Sequence, residues 1–181
     1  QDFRPERPVL RRLLRIGVPI SLQDGFIQVS FVVITIFANQ RGLTDAAAVG
    51  IVEKIISILF LVPSSMMSTI SALVAQNIGA GKHDRAKLTL KYVLMITVTY
   101  GLIMTIIVQF VSVPLVGLFT NDGAVAVSGA GYLRSYASDC IFAGIHFCLS
   151  GYFYAYGLSV ISFIHNSISS VCARIPLSYY A

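Results

Sequence analysis

The sequence has no tryptophan and is poor in charge. Of its 181 residues, 12% are Asp, Glu, Lys or Arg, about half the roughly 25% usual in soluble domains. Hydrophobic residues make up 56%, more than one buried core in so short a chain can absorb. A bilayer can absorb it. The composition therefore excludes an ordinary soluble domain and indicates an all-α, polytopic membrane protein. The net charge of +5 would suit nucleic acid in a soluble chain. Here the basic residues sit beside apolar runs, which marks orientation in a membrane and implies no nucleic-acid partner.

Other shortages remove further classes. Cys140, Cys148 and Cys172 lie in apolar segments without CxxC spacing, so neither a disulfide framework nor a thiolate metal site is expected. His83, His146 and His165 are scattered and form no metal-ligand pair. Gly79–Lys82 reads GAGK, but a phosphate loop needs GxxxxGK[ST] after a strand, and here His83 follows the lysine. The opening residues do not read as a signal peptide, and none is expected there. Gln1 in place of Met, and an apolar run that reaches Ala181, lead to the expectation of a piece of a longer, transporter-sized protein.

The apolar runs give about five spans. Residues 1–15 form a basic flank, with Pro5 and Pro8 keeping its start extended and Arg11, Arg12 and Arg15 at the edge of the first span. That span covers 16–38, with Pro19 in its first turns, where proline is tolerated. The second covers 46–78, with Glu53 and Lys54 in its outer part and Pro63 mid-span, where a kink is expected. Gly79 and Gly81 end this helix, and Lys82–Lys91 connects it to a third span at 92–118. Asn121-Asp122-Gly123 makes a turn, followed by an amphipathic stretch, Ala124–Tyr136. The fourth span covers 137–156 and the fifth 158–181, the latter unusually polar.

Nine of the thirteen Lys and Arg residues fall in the N-terminal flank and in Lys82–Lys91. Both segments fall on one side in a five-span count, and the positive-inside rule makes that side cytoplasmic. Residues 1–15 and 80–91 are thus expected in the cytoplasm, and membrane lipids surround the rest.

Intramembrane polar groups are the candidates for chemistry, because a carboxylate in a span costs about 2.5–3.5 kcal/mol on insertion scales and normally faces a cavity or a partner. Asp24 and Gln28 share a helix face at i, i+4 beside Gln23. Asp24 reads either as a proton- or cation-handling group or as a carboxylate paired structurally with a basic neighbour. Asp139, Ala143 and His146 share a face at i, i+4, i+7, although a packing role suits His146. Glu53, Lys54 and Arg174 read as structural.

The loop Ala75–Lys87, AQNIGAGKHDRAK, resembles the loop signature of the multidrug and toxic compound extrusion (MATE) family, through Gln76, Asn77, Gly79, Gly81 and Arg85. Further matches follow in order: Gly17-Val18-Pro19, Ala47–Ile51, Leu118–Asp122, Tyr132-Leu133-Arg134 and Arg174–Leu177. The resemblance implies two six-helix bundles around a central cavity, with this chain supplying most of the C-terminal bundle and lacking the N-terminal bundle as its partner. Residues 1–15 would then be the cytoplasmic linker between bundles. It further implies an antiporter, not an enzyme, in a cell membrane (the bacterial inner membrane). Such a protein exports toxic organic compounds, often cations, against sodium ions or protons, with no other cofactor.

The sequence departs from that pattern where one branch of the family binds its cation. The family's Glu falls near Ile27 or Gln28, and its Asp falls at Ala143. Either coupling lies in the other bundle, or Asp24 and Asp139, each about one turn away, substitute. Gln28 and His146 complete the candidate set. The alternatives are a lipid-linked oligosaccharide flippase of the same superfamily, a membrane-embedded enzyme and a structural subunit. The flippase would need cavity basic residues, for which only Arg174 is available; the enzyme would need a convergent catalytic set; the subunit would leave Asp24 unexplained.

Overall fold

The computed structural model describes residues 7–168. Among them every regular element is an α-helix: α1 (Arg7–Arg41), α2 (Leu43–Leu59), α3 (Leu61–Gly79), α4 (His83–Gly117), α5 (Gly123–Ala137), α6 (Asp139–Ala155) and α7 (Ser159–Ile168). Three runs are long and apolar enough to cross a membrane by length and composition: Arg7–Phe37, Leu43–Gly79 and His83–Gly117. The first subsection's Arg174, Cys172 and the 169–181 part of its fifth span lie outside the described residues, as do 1–6.

The helices repeat a pattern of one unbroken rod followed by one interrupted rod. α1 and α4 are each 35 residues long. After α1 come α2 and α3, separated only by Phe60, and after α4 come α5 and α6, separated only by Ser138. α2 packs on α5 and α3 on α6, while α4 lies along both interrupted rods and α7 lies against α1.

Turn chemistry fixes the ends. Gly81 has φ 71° and Gly157 has φ 73°, the left-handed geometry that a residue without Cβ adopts freely. At each, two N–H groups fold back onto the preceding turn in a Schellman pattern. Lys82 N–H donates to Asn77 O (2.8 Å) and Gly81 N–H to Ile78 O (2.9 Å); Leu158 N–H donates to Phe153 O (2.9 Å) and Gly157 N–H to Tyr154 O (3.0 Å). The signature residues Gln76, Asn77 and Gly79 thus form the last turn of α3, and Arg85 stands exposed in the first turn of α4. At the other end of the rods, Asp122 caps α5 by accepting from Ala124 N–H at 2.8 Å, replacing a backbone acceptor the helix start lacks.

Prolines inside helices free carbonyls, and side chains from neighbouring helices take them up. Pro63 has no N–H for Leu59 O, four residues back, and Tyr100 Oη donates to that oxygen at 3.0 Å. Pro19 likewise frees Arg15 O, which Ser159 Oγ reaches at 3.4 Å.

Several sequence expectations shift here. Pro19 lies well inside α1 rather than in its first turns, because the helix already runs from Arg7 through the supposed linker. α4 likewise begins at His83, so Lys82–Lys91 is mostly helix rather than loop. The expected kink at Pro63 is a break at Phe60, and Ala124–Tyr136 continues into the next helix with only Ser138 between.

The core is in two layers. One is built from Val52, Ile55 and Ile56 of α2, Val108 and Val116 of α4, and Leu133 and Ala137 of α5. The other is built from Ile70 and Val74 of α3, Ala86 and Val93 of α4, and Cys148 of α6. Between them α4 turns small or polar residues inward, Thr97 and Gly101, both buried. Gly101 lets α6 approach closely: a Cβ there would stand 3.1 Å from Ile141 Cα.

Candidate functional site

α1 touches the bundle along a narrow stripe. Gln23 and Ser30 are its buried polar residues. Ser30 Oγ satisfies itself on Phe26 O at 3.0 Å, whereas Gln23 is met from another helix: Tyr154 Oη of α6 donates to its Oε1 at 3.2 Å. A second, weaker polar contact ties α1 to α2, where the Thr35 hydroxyl, bonded to Phe31 O at 2.9 Å, also lies 3.4 Å from Glu53 Oε1. These two contacts hold the rod against opposite parts of the bundle.

Asp24 and Gln28 are exposed on the flank of α1 beside that stripe, and Gly17 and Ser21 continue the same flank toward the Arg15 end. α3 presents a comparable surface. Its exposed residues Ser65, Ser68, Thr69, Ala72, Gln76 and Gly79 recur at helical spacing and form one small, polar face. α4 is the opposite. Met95, Ile96, Leu102, Ile103, Ile106 and Phe110 are among its exposed residues, a surface matched to lipid tails. α1 is mixed: a narrow polar strip carrying Asp24 and Gln28 runs beside exposed Leu14, Val18, Leu22, Val29 and Val32. The exterior is therefore lipid-like on α4 and on most of α1, and polar on that strip and on the α3 face.

On α6, Asp139, His146, Ser150 and Tyr154 follow one another at i, i+7, i+11 and i+15, which is a single helical face. His146 Nε2 lies 3.5 Å from Ser150 Oγ, and both Asp139 and His146 are half-buried. Since Tyr154 on this face meets Gln23, the structure links the neighbourhood of Asp24 to the face that carries His146. It does not bring Asp24 and Asp139 together. Asp139 to Tyr154 is about 22 Å of helix at 1.5 Å per residue. Asp139 also lies midway along the interrupted α5–α6 rod rather than at its outer end.

Arg134 is held structurally: its Nε donates to Ser112 Oγ at 2.7 Å, and its carbonyl accepts from Gln109 Nε2 at 3.2 Å. Lys54 is exposed beside Glu53. Two side chains were missed by sequence reasoning. Tyr154 could have been found as the residue one turn after Ser150 and two turns after His146. Glu53 was set aside as structural, yet Leu43 to Glu53 is about 15 Å of helix, deep enough to ask what its carboxylate faces. Among the described residues no three His, Cys, Asp or Glu side chains group to hold a metal ion.

Long apolar helices, buried polar bridges between them and a divided exterior define an all-α integral membrane protein of the polytopic kind. The comparisons refine that class. The MatE family profile matches residues 19–180, and the chain belongs to that family, the multidrug and toxic compound extrusion (MATE) family. A Bacillus subtilis (strain 168) protein described as "Probable multidrug resistance protein YoeA" is 27% identical over 120 residues, covering 66% of this chain and 26% of the relative. The match thus spans about a quarter of that relative's length. No solved structure matches the chain.

Proposed function

We propose that the chain forms most of one bundle of a secondary active antiporter, which exports drugs or other toxic organic compounds, often cations, in exchange for sodium ions or protons. Family membership sets the class. The observation that carries the reading further is an exposed carboxylate, Asp24, which stands with Gln28 and Ser21 on a narrow polar strip of an otherwise apolar α1 exterior, while α3 offers a second small, polar face. Such faces suit a water-filled cavity shared with a partner bundle, because intramembrane charge normally faces a cavity. α4, with its apolar exterior, would face lipid.

In this reading the partner is another bundle of the same transporter, and the location is the bacterial inner membrane. Residues 7–15 and the Ala80–Lys91 region lie on the cytoplasmic side, as their basic residues require. Asp24 supplies a charge for the coupling ion or a cationic substrate, and Gln28 a polar wall. His146 and Asp139 lie on the α6 face that reaches α1, and Glu53 supplies a further carboxylate about 15 Å along α2 from its Leu43 end.

The test is gradient-driven efflux in proteoliposomes of the complete protein. Asp24→Asn should cut the coupled rate sharply with expression unchanged, since the side chain is exposed and carries no packing. Coupled efflux that runs undiminished in Asp24→Asn would remove Asp24 from the mechanism. Absence of any substrate-coupled flux in the wild type would remove the antiporter reading itself.

A further inference from the structure

The two interruptions, at Phe60 and at Ser138, are stabilised by the same helix. The last carbonyl of α2, Leu59 O, accepts from Tyr100 Oη at 3.0 Å. The last carbonyl of α5, Ala137 O, shares the Thr105 hydroxyl with Gly101 O of α4, Thr105 Oγ1 lying 2.9 Å from the first and 2.8 Å from the second. Both donors belong to α4, little more than one turn apart, and Gly101 between them lets Ile141, in the first turn of α6, press against the rod. The first break also lies beside the second: the Phe60 ring packs edge-on to Tyr136 just before the second break, with centroids 6.2 Å apart, and to Phe147, about two and a half turns into α6, at 6.1 Å.

A second, independent observation concerns packing. The two hydrophobic layers described above share no residue and lie on opposite sides of this level, one joining α2, α4 and α5, the other α3, α4 and α6. Interdigitated cores move as units. A layer of hydroxyls, glycines and weakened helical ladder between two such cores is where motion costs least.

The geometry points to a paired mid-membrane hinge: α2 with α5 forms one unit, α3 with α6 forms another, and the two bend against each other about the Tyr100–Thr105 segment of α4. Tyr100 and Thr105 are positioning residues in this device. When a helix bends, a carbonyl at the break that lost its donor would stand unsatisfied in a medium without water. A hydroxyl from α4 follows the carbonyl and keeps it satisfied on both sides of the movement. The inference rests on the transporter reading but goes beyond it, since it makes the bundle flex internally rather than move as one rigid body.

The experiment uses the complete protein in nanodiscs, with spin-label pairs that straddle each break at exposed sites: Lys54 with Leu73 across Phe60, and Val127 with Leu149 across Ser138. Distance distributions are recorded at rest and under an imposed ion gradient with a transported dye, and dye efflux is measured on the same labelled proteins. The expected result is that both pairs shift together by several ångströms under transport. Tyr100→Phe and Thr105→Val should narrow that response and lower the efflux rate several-fold without loss of dye binding. Pro63→Ala restores an N–H to Leu59 O, so Tyr100→Phe should have little further effect in that background. Unshifted distances in both pairs during measurable efflux would overturn the hinge while leaving the transporter standing. Efflux absent from the unlabelled wild type would strike the transporter reading instead.

Discussion

Gly151 of α6 lies against the backbone of Met67 in α3, so close that a Cβ on the glycine would stand 2.5 Å from the Met67 carbonyl oxygen. Gly144 lies about two helical turns further toward the break, where a Cβ would meet Thr97 Cγ2 at 2.7 Å. The two contacts differ in what can yield. A carbonyl in a helix cannot step aside, whereas the Thr97 methyl is a side-chain atom that can shift by a few tenths of an ångström while its hydroxyl stays bonded to Val93 O at 2.8 Å. Gly151→Ala should therefore lower thermal stability in detergent by about 1–3 kcal/mol, with Gly144→Ala costing less. Gly131, whose Cβ position meets nothing within 4 Å, should tolerate alanine with no loss and a small gain in helix propensity.

The Tyr154–Gln23 bridge makes a second prediction. Gln23 is 6% exposed, and Tyr154→Phe would leave its buried oxygen without the hydroxyl. A loss of about 1–3 kcal/mol is expected in thermal unfolding. Gln23→Leu removes the orphaned group, so the double variant should recover part of that loss. Simple addition of the two single effects would show that the bridge carries no coupling.

Orientation is open to chemistry from either side of the membrane. In the complete protein, with native cysteines replaced, Lys82→Cys should react with an impermeant maleimide only from the cytoplasm. Asn121→Cys should react only from the opposite side. Among the described native cysteines, Cys140 and Cys148 are buried and should resist the reagent in the folded protein. Labelling of positions 82 and 121 from the same side would break the topology.

Much of the fold was legible, and the misreadings have physical causes. The glycine-rich loop was correctly taken as a helix stop and restart, because Gly81 at positive φ is the device a helix uses to end. Ala124–Tyr136 was read as a weak amphipathic stretch because its alanines and glycines carry little hydropathy. Those small residues are there to let α5 approach its neighbours: a Cβ on Gly129 would meet Val116 Cγ1 at 3.0 Å. Pro63 announced a distortion, but its effect appears at Phe60, on the side of the carbonyl it leaves unbonded. For the candidate site, sequence spacing found the α6 face of Asp139 and His146 and the exposed flank of Asp24. It could not find Tyr154 and Gln23 as partners, since nothing local to either residue tells which distant helix will be beside it.

A charge prediction follows from Glu53 and Thr35. Glu53→Gln keeps an acceptor for the Thr35 hydroxyl and removes the carboxylate, so packing of α1 on α2 should persist. If Glu53 only fastens the helices, efflux by the complete protein should be unchanged. A several-fold fall with unchanged thermal stability is the expected result, and it would mark the carboxylate as part of the ion or substrate route.

The connections between rods are short: Gly42 alone between α1 and α2, then Ala80–Lys82, Leu118–Asp122 and Tyr156–Leu158. A protein built this way offers the aqueous phases very little to grip. Proteases should find few cleavage sites in the native state, and antibodies raised against intact cells should find few epitopes in residues 42–158. A binder meant to trap one state of the molecule would have to enter the membrane plane or reach the polar flanks of α1 and α3.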